Sequence, residues 1–124
     1  MLSVLALAAA FSFDHTAYVT FLPKSVTSAI GMGISAELGG YTAITVAVII
    51  ISGIIGNMIA EPLLKALRIT EPVARGIAIG SASHAVGTAR ALEMGPVEGA
   101  MSSLSIVVSG VITVFAAVLF AGLY

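Results

Sequence analysis

Residues 72–95 read PVARGIAIGSASHAVGTARALEMG and lie between two long apolar runs. They hold two arginines, one histidine, two serines, one threonine and four glycines. In water such a stretch forms an ordinary glycine-rich helix or loop. In hydrocarbon it is costly unless it faces protein or a wet cavity, because lipid offers polar groups no partner. The flanking runs therefore set its meaning.

Of the 124 residues, 59% are hydrophobic and 9% charged, and the mean hydropathy is +1.14. Soluble domains hold roughly 45–50% apolar and about 25% charged residues, so the chain reads as an all-α integral membrane protein. A span needs about 20 residues. That allows a polytopic helical bundle of four to five membrane segments, with residues 1–124 as one membrane domain. The formal net charge of −1 argues against nucleic acid, which needs an excess of basic residues to neutralise phosphates. Without cysteine there is no disulfide and no thiolate metal site. Two histidines far apart, with no carboxylate cluster, argue against a zinc or di-iron centre. No metal and no cofactor are expected.

Residues 41–60, YTAITVAVIIISGIIGNMIA, are the clearest transmembrane helix. Ser52, Gly56 and Ala60 recur every four residues, a small-residue face that lets another helix approach closely. Glu61, before Pro62, is either an interfacial group or a buried proton carrier. In the connection 64–75, Lys65, Arg68 and Arg75 meet one opposing charge, Glu71, and the positive-inside rule makes that loop cytoplasmic. The connection 93–99, with Glu93, Glu98, Pro96 and two glycines, is expected on the opposite side.

Within the central stretch, Gly76, Gly80, Ser83 and Gly87 fall at helical spacing and give a face with almost no bulk. Ser81, His84 and Thr88 align at i, i+3 and i+7 on a neighbouring face. Arg90 and Glu93, three apart, can pair. Glycines at this density also allow the helix to break. Downstream, 100–124 is a long apolar helix whose Ser102, Ser105, Ser109 and Thr113 form a polar stripe suited to helix packing.

Upstream, Pro23 is expected to open a helix at 23–40, PKSVTSAIGMGISAELGG, and Gly39-Gly40 to end it. This segment is too short and too polar for a lipid-facing span, and it reads as a re-entrant or half helix. Asp14 and His15 interrupt the apolar run 1–22 and read as a solvated loop pair. The run 1–13 resembles a truncated transmembrane helix more than a signal peptide, because no Lys or Arg precedes it. SAELGG (35–40) faintly echoes RALEMG (90–95), each closing a polar segment before a long apolar helix. Paired, Gly-interrupted segments of this kind point to a transporter site.

LPKSVTSAI at 22–30 and LLKALRITEPVARGIAIGSASHAVGTARALEMGPVEGAMSSLSIVVSG at 63–110 resemble the LrgB/CidB family of bacterial membrane proteins. PKSVT and GSASHAVGTARALE are its most specific motifs here. The resemblance runs from about residue 21 to 123 and covers the C-terminal half of a typical member. It implies a multi-pass protein of the bacterial plasma membrane. The family was named for holin-like control of murein hydrolases and autolysis. Plant relatives in the chloroplast envelope move glycolate and glycerate, and bacterial members are linked to pyruvate handling. A carrier of small 2-hydroxy or 2-oxo monocarboxylates fits both observations.

The residues suit such a carrier. A half-helix N-terminus at 23–27 would offer Lys24, Ser25 and Thr27 to a carboxylate. Arg90 could hold it bidentately, and Ser83, His84 and Thr88 could take the substrate hydroxyl. Segments 23–40 and 72–94 would then meet near mid-membrane. Other roles remain open at each position: His84 as proton relay or packing group, Arg90 as partner of Glu93, Lys24 as a snorkelling cation. A second class of function is a holin-like pore or regulator, whose polar faces mediate assembly. A third, an intramembrane hydrolase using Ser81 or Ser83 with His84, lacks a group to orient the imidazole and a GxSxG elbow. The expected partners are the lipid bilayer, a small carboxylate, and either further copies of the chain or an LrgA/CidA-type membrane protein.

Overall fold

The computed structural model describes residues 1–124 as six helices without a strand: α1 (Leu2–Phe11), α2 (His15–Phe21), α3 (Ser28–Glu37), α4 (Thr42–Ala66), α5 (Pro72–Met94) and α6 (Pro96–Ala121). Contacts divide the chain into two units, 1–49 with 110–124, and 50–109. Two helices are long and apolar enough to cross a membrane, α4 with a mean hydropathy of 2.3 and α6 with 2.5. Of the four to five membrane segments expected from length, these two helices meet the length and hydropathy of a full span. Helices α1, α2 and α3 have 10, 7 and 10 residues, and about 10 residues rise only about 15 Å against a hydrocarbon core of about 30 Å.

In the first unit, α1 buries Val4 and Ala8 against Tyr18, Val19, Ala117 and Ala121. Asp14 is exposed between α1 and α2, as expected, and also caps α2, which starts at His15: its carboxylate accepts from Ala17 N–H at 2.7 Å. Pro23 ends α2 instead of opening α3. Lacking an N–H, it cannot continue the ladder, and residues 22–25 turn before α3 starts at Ser28. The glycine stop behaves as expected. Gly39 takes φ 79°, its N–H reaches Ala36 C=O at 3.3 Å, and Gly40 N–H reaches Ser35 C=O at 2.7 Å.

A buried hydroxyl cluster joins α2, α3 and α4 here. Thr45 Oγ1 lies 2.8 Å from both Thr20 C=O and Ser35 Oγ, and Thr20 Oγ1 accepts from Tyr41 N–H at 2.8 Å. The C-terminus is tied in by Tyr124, whose hydroxyl is 2.7 Å from Phe13 C=O, and by Tyr18, which donates to Phe120 C=O at 2.8 Å.

In the second unit, α4 continues through Pro62 to Ala66. Pro62 removes one backbone bond, but Leu64, two residues beyond, is buried with Ala60, Ile79 and Ala91, and this packing carries the helix on. Helix α5 is not straight. His84 has φ 50° and ψ −136°, outside the helical region, and the limbs 72–83 and 85–94 fold back on each other. A Cβ built on Gly87 would lie 3.2 Å from Ile79 C=O, whereas eight residues of straight helix rise about 12 Å. Arg75, near the start of α5, is 3.6 Å from Glu98 in the first turn of α6. A straight α5 would separate Arg75 from Gly95 by about 30 Å. Both ends of α5 thus lie at one end of this unit, so the connections 64–75 and 93–99 are not at opposite ends as the charge asymmetry implied.

Candidate functional site

The fold-back places a polar tip among close-packed small residues. Gly53 and Gly56 of α4 receive it: a Cβ on Gly53 would sit 3.3 Å from Ser83 C=O, and one on Gly56 would overlap the Ser83 side chain. The small-residue face of α4 expected from Ser52, Gly56 and Ala60 is therefore occupied by α5. On the other side Gly80 lies against α6, where a Cβ would come within 2.8 Å of Ser102 Cα. Bulk at either glycine would separate the helices.

Ser83, His84 and Thr88 are all buried. Thr88 donates to His84 C=O at 2.9 Å, and its oxygen lies 2.7 Å from Ser102 Oγ. One hydroxyl thus serves a carbonyl displaced by the break and links the second limb to α6. Ser102, fully buried, is the site residue that sequence reading assigned only to packing; its place at the head of the α6 stripe was the available signal. Ser105 and Ser109 do follow the packing reading, since each donates to its own helix, at 2.9 Å to Ser102 C=O and 2.6 Å to Ser105 C=O.

The row Ser81, His84, Thr88 does not survive the break. Ser81 is exposed and donates to Ile77 C=O at 2.7 Å, while His84 and Thr88 are buried. The i, i+3, i+7 alignment holds only for a continuous helix, and the positive φ at His84 ends it.

Arg90 is held by two carboxylates, Glu61 of α4 and Glu93 at 2.6 Å. Glu61 also binds Lys65 at 2.8 Å. Beside Arg90 is a cavity of about 330 Å³, lined also by Asn57, Met58, Ala89 and Glu93. Asn57 and Glu61 enter the site through the turn of α4 that faces α5.

Lys24, Ser25 and Thr27 belong to the first unit. Lys24 Nζ is 3.1 Å from Ser25 Oγ in the α2–α3 turn. Thr27 is the N-cap of α3, without a side-chain capping bond. The expected half-helix end at 23–27 is thus a turn preceding a helix that starts at Ser28.

An all-helical chain with two membrane-length helices and a polar, folded-back helix packed between helical segments defines a class of membrane protein. Residues 1–123 match the LrgB-like family, and the chain belongs to it. It is 43% identical over 104 residues to "Holin-like protein CidB" of Staphylococcus aureus, covering 84% of this chain and 45% of that protein. It is also 43% identical over 115 residues to "Uncharacterized protein YxaC" of Bacillus subtilis, covering 93% of this chain and 50% of the relative. The Staphylococcus epidermidis "Holin-like protein CidB" is 43% identical over 103 residues, covering 83% and 45%. The chain spans about half the length of these curated relatives. No solved structure matches it.

Proposed function

We propose that the chain serves in membrane transport, as part or whole of a carrier of small 2-hydroxy or 2-oxo monocarboxylates such as glycolate, glycerate and pyruvate. The observation that carries this reading is the break of α5 at His84. A helix broken inside a bilayer leaves backbone N–H and C=O groups that are tolerable only against protein or a wet cavity, and carriers build substrate sites at such breaks. In this reading α5 is a re-entrant hairpin of a multi-pass protein in the bacterial inner membrane. Arg90 binds the substrate carboxylate by exchanging it for Glu61 or Glu93, so that binding loosens the hold of α5 on α4. Ser83, His84 and Thr88 take the substrate hydroxyl. Lys24, Ser25 and Thr27, half-buried at their turn, supply a second polar station. Neither a chemical step nor a cofactor is involved.

A second reading is favoured by the name of the relatives. A holin-like pore, or a regulator of murein hydrolases and autolysis, would use the same polar faces to assemble with further copies or with an LrgA/CidA-type partner.

Flux in proteoliposomes tests both. Labelled glycolate, glycerate and pyruvate are offered beside neutral dyes of graded size, to this chain and to a full-length relative. Saturable, competable uptake with dyes retained, lost on Arg90→Gln, is the carrier result. Dye release graded by size and without saturation is the pore result, and it would overturn the carboxylate site.

A further inference from the structure

The junction of α4 and α5 carries a basic cavity that neither transport reading uses. It has a volume of about 510 Å³ and is lined by Leu64, Lys65, Arg68, Ile69, Thr70 and Arg75. Three of the chain's five Lys and Arg residues are thus gathered on one hollow. We infer that this cavity binds the phosphate of an anionic phospholipid.

The cations there are unevenly spent. Lys65 is bound to Glu61 at 2.8 Å. Arg75 is largely buried, its nearest carboxylate is Glu98 at 3.6 Å, and its Nε–H has no acceptor. Arg68 makes no ion pair and sits at φ 55°, a left-handed position where a side chain other than Gly or Asn costs about 1–2 kcal/mol. It closes α4 as a glycine would: Arg68 N–H reaches Lys65 C=O at 3.1 Å and Ile69 N–H reaches Leu64 C=O at 2.9 Å. The backbone there would be better served by glycine, and the guanidinium projects at the hollow with its donors unspent. Arginine forks match phosphate oxygens bidentately, and Thr70 adds a hydroxyl.

A lipid is favoured over a soluble anion by what adjoins the cavity. Leu64 also lines an apolar cleft of about 100 Å³ with Ile59, Leu63, Ala78 and Ala82, which leads from the cations along α4 and α5. In a membrane the end of α4 lies at head-group depth, where basic pockets between helices bind anionic head groups. The inference rests on α4 being embedded, and on neither the carrier nor the pore.

The test uses the whole chain in neutral detergent, with native mass spectrometry reading bound phosphatidylglycerol, phosphatidylcholine and glycerol phosphate. Phosphatidylglycerol is expected to bind at lower concentration than phosphatidylcholine, and Arg68→Gln to weaken it about five-fold, the worth of one basic residue at a charged membrane surface. Arg68→Lys should keep part of that affinity, and Lys24→Gln all of it. Arg68 is exposed, so its replacement leaves the helix packing in place even if Arg75→Gln loosens α5. Equal retention of the two lipids, or an unaffected Arg68→Gln, would sink the site. Displacement of the lipid by glycerol phosphate at equal concentration would refute the lipid as occupant. Flotation with vesicles reports separately whether the chain is membrane-embedded.

Discussion

Thr88 is the hinge on which the site's geometry can be measured. Its hydroxyl donates to His84 C=O and lies 2.7 Å from Ser102 Oγ, so Ser102 donates to it. Thr88→Val keeps the shape and removes both bonds. In a bilayer each such bond contributes on average about 0.6 and at most about 1.7 kcal/mol, and a stranded buried hydroxyl costs about 1–3 kcal/mol. Since Ser102 is fully buried, the expected loss is about 2–3 kcal/mol. Ser102→Ala alone leaves Thr88 bonded to His84 and should cost about 1 kcal/mol. The double variant no longer strands the serine, so its loss should fall about 1 kcal/mol short of the sum. Unfolding in mixed micelles titrated with SDS reads all three, and Thr88→Ser should recover most of the deficit. If the two losses add to within about 0.3 kcal/mol, the two side chains do not bond and the proposed link between the second limb and α6 is wrong.

The fold-back itself is open to distance measurement, because the chain has no cysteine. Spin labels at Ile77→Cys and Val97→Cys, both exposed positions, should be close together, whereas a straight α5 would hold them about 30 Å apart. Gly56→Leu should lower stability by about 1–3 kcal/mol through overlap with Ser83. Gly33→Ala, which meets nothing within 4 Å, should raise it by about 0.5–1 kcal/mol; paired unfolding curves check both. Gly39→Ala should cost about 1–2 kcal/mol because of its positive φ, seen as an earlier thermal transition.

The sequence by itself was enough wherever a property is local or summed. Apolar excess shows a membrane protein because every residue contributes to it independently. The Gly39-Gly40 stop is legible because only glycine takes that backbone cheaply, and the spacing of Ser52, Gly56 and Ala60 marks a close approach because small side chains allow nothing else to fill the gap. The family resemblance from PKSVT and GSASHAVGTARALE held for the same reason: it is carried by the residues themselves. The glycines of 72–95 allowed a break to be expected, but not where or into what. A proline reads alike as the start of one helix or the stop of another, and only the packing of the α2–α3 turn decided that Pro23 is a stop. Periodicity assumes a continuous helix, so one residue at positive φ, His84, was enough to send Ser81 to the surface and leave Thr88 facing Ser102. Charge counts located Arg75 and Glu98 in separate connections and Arg90 beside Glu93. The tertiary fold joined Arg75 to Glu98 and gave Arg90 a second carboxylate from α4, because contacts between residues far apart in sequence depend on which helix folds back onto which.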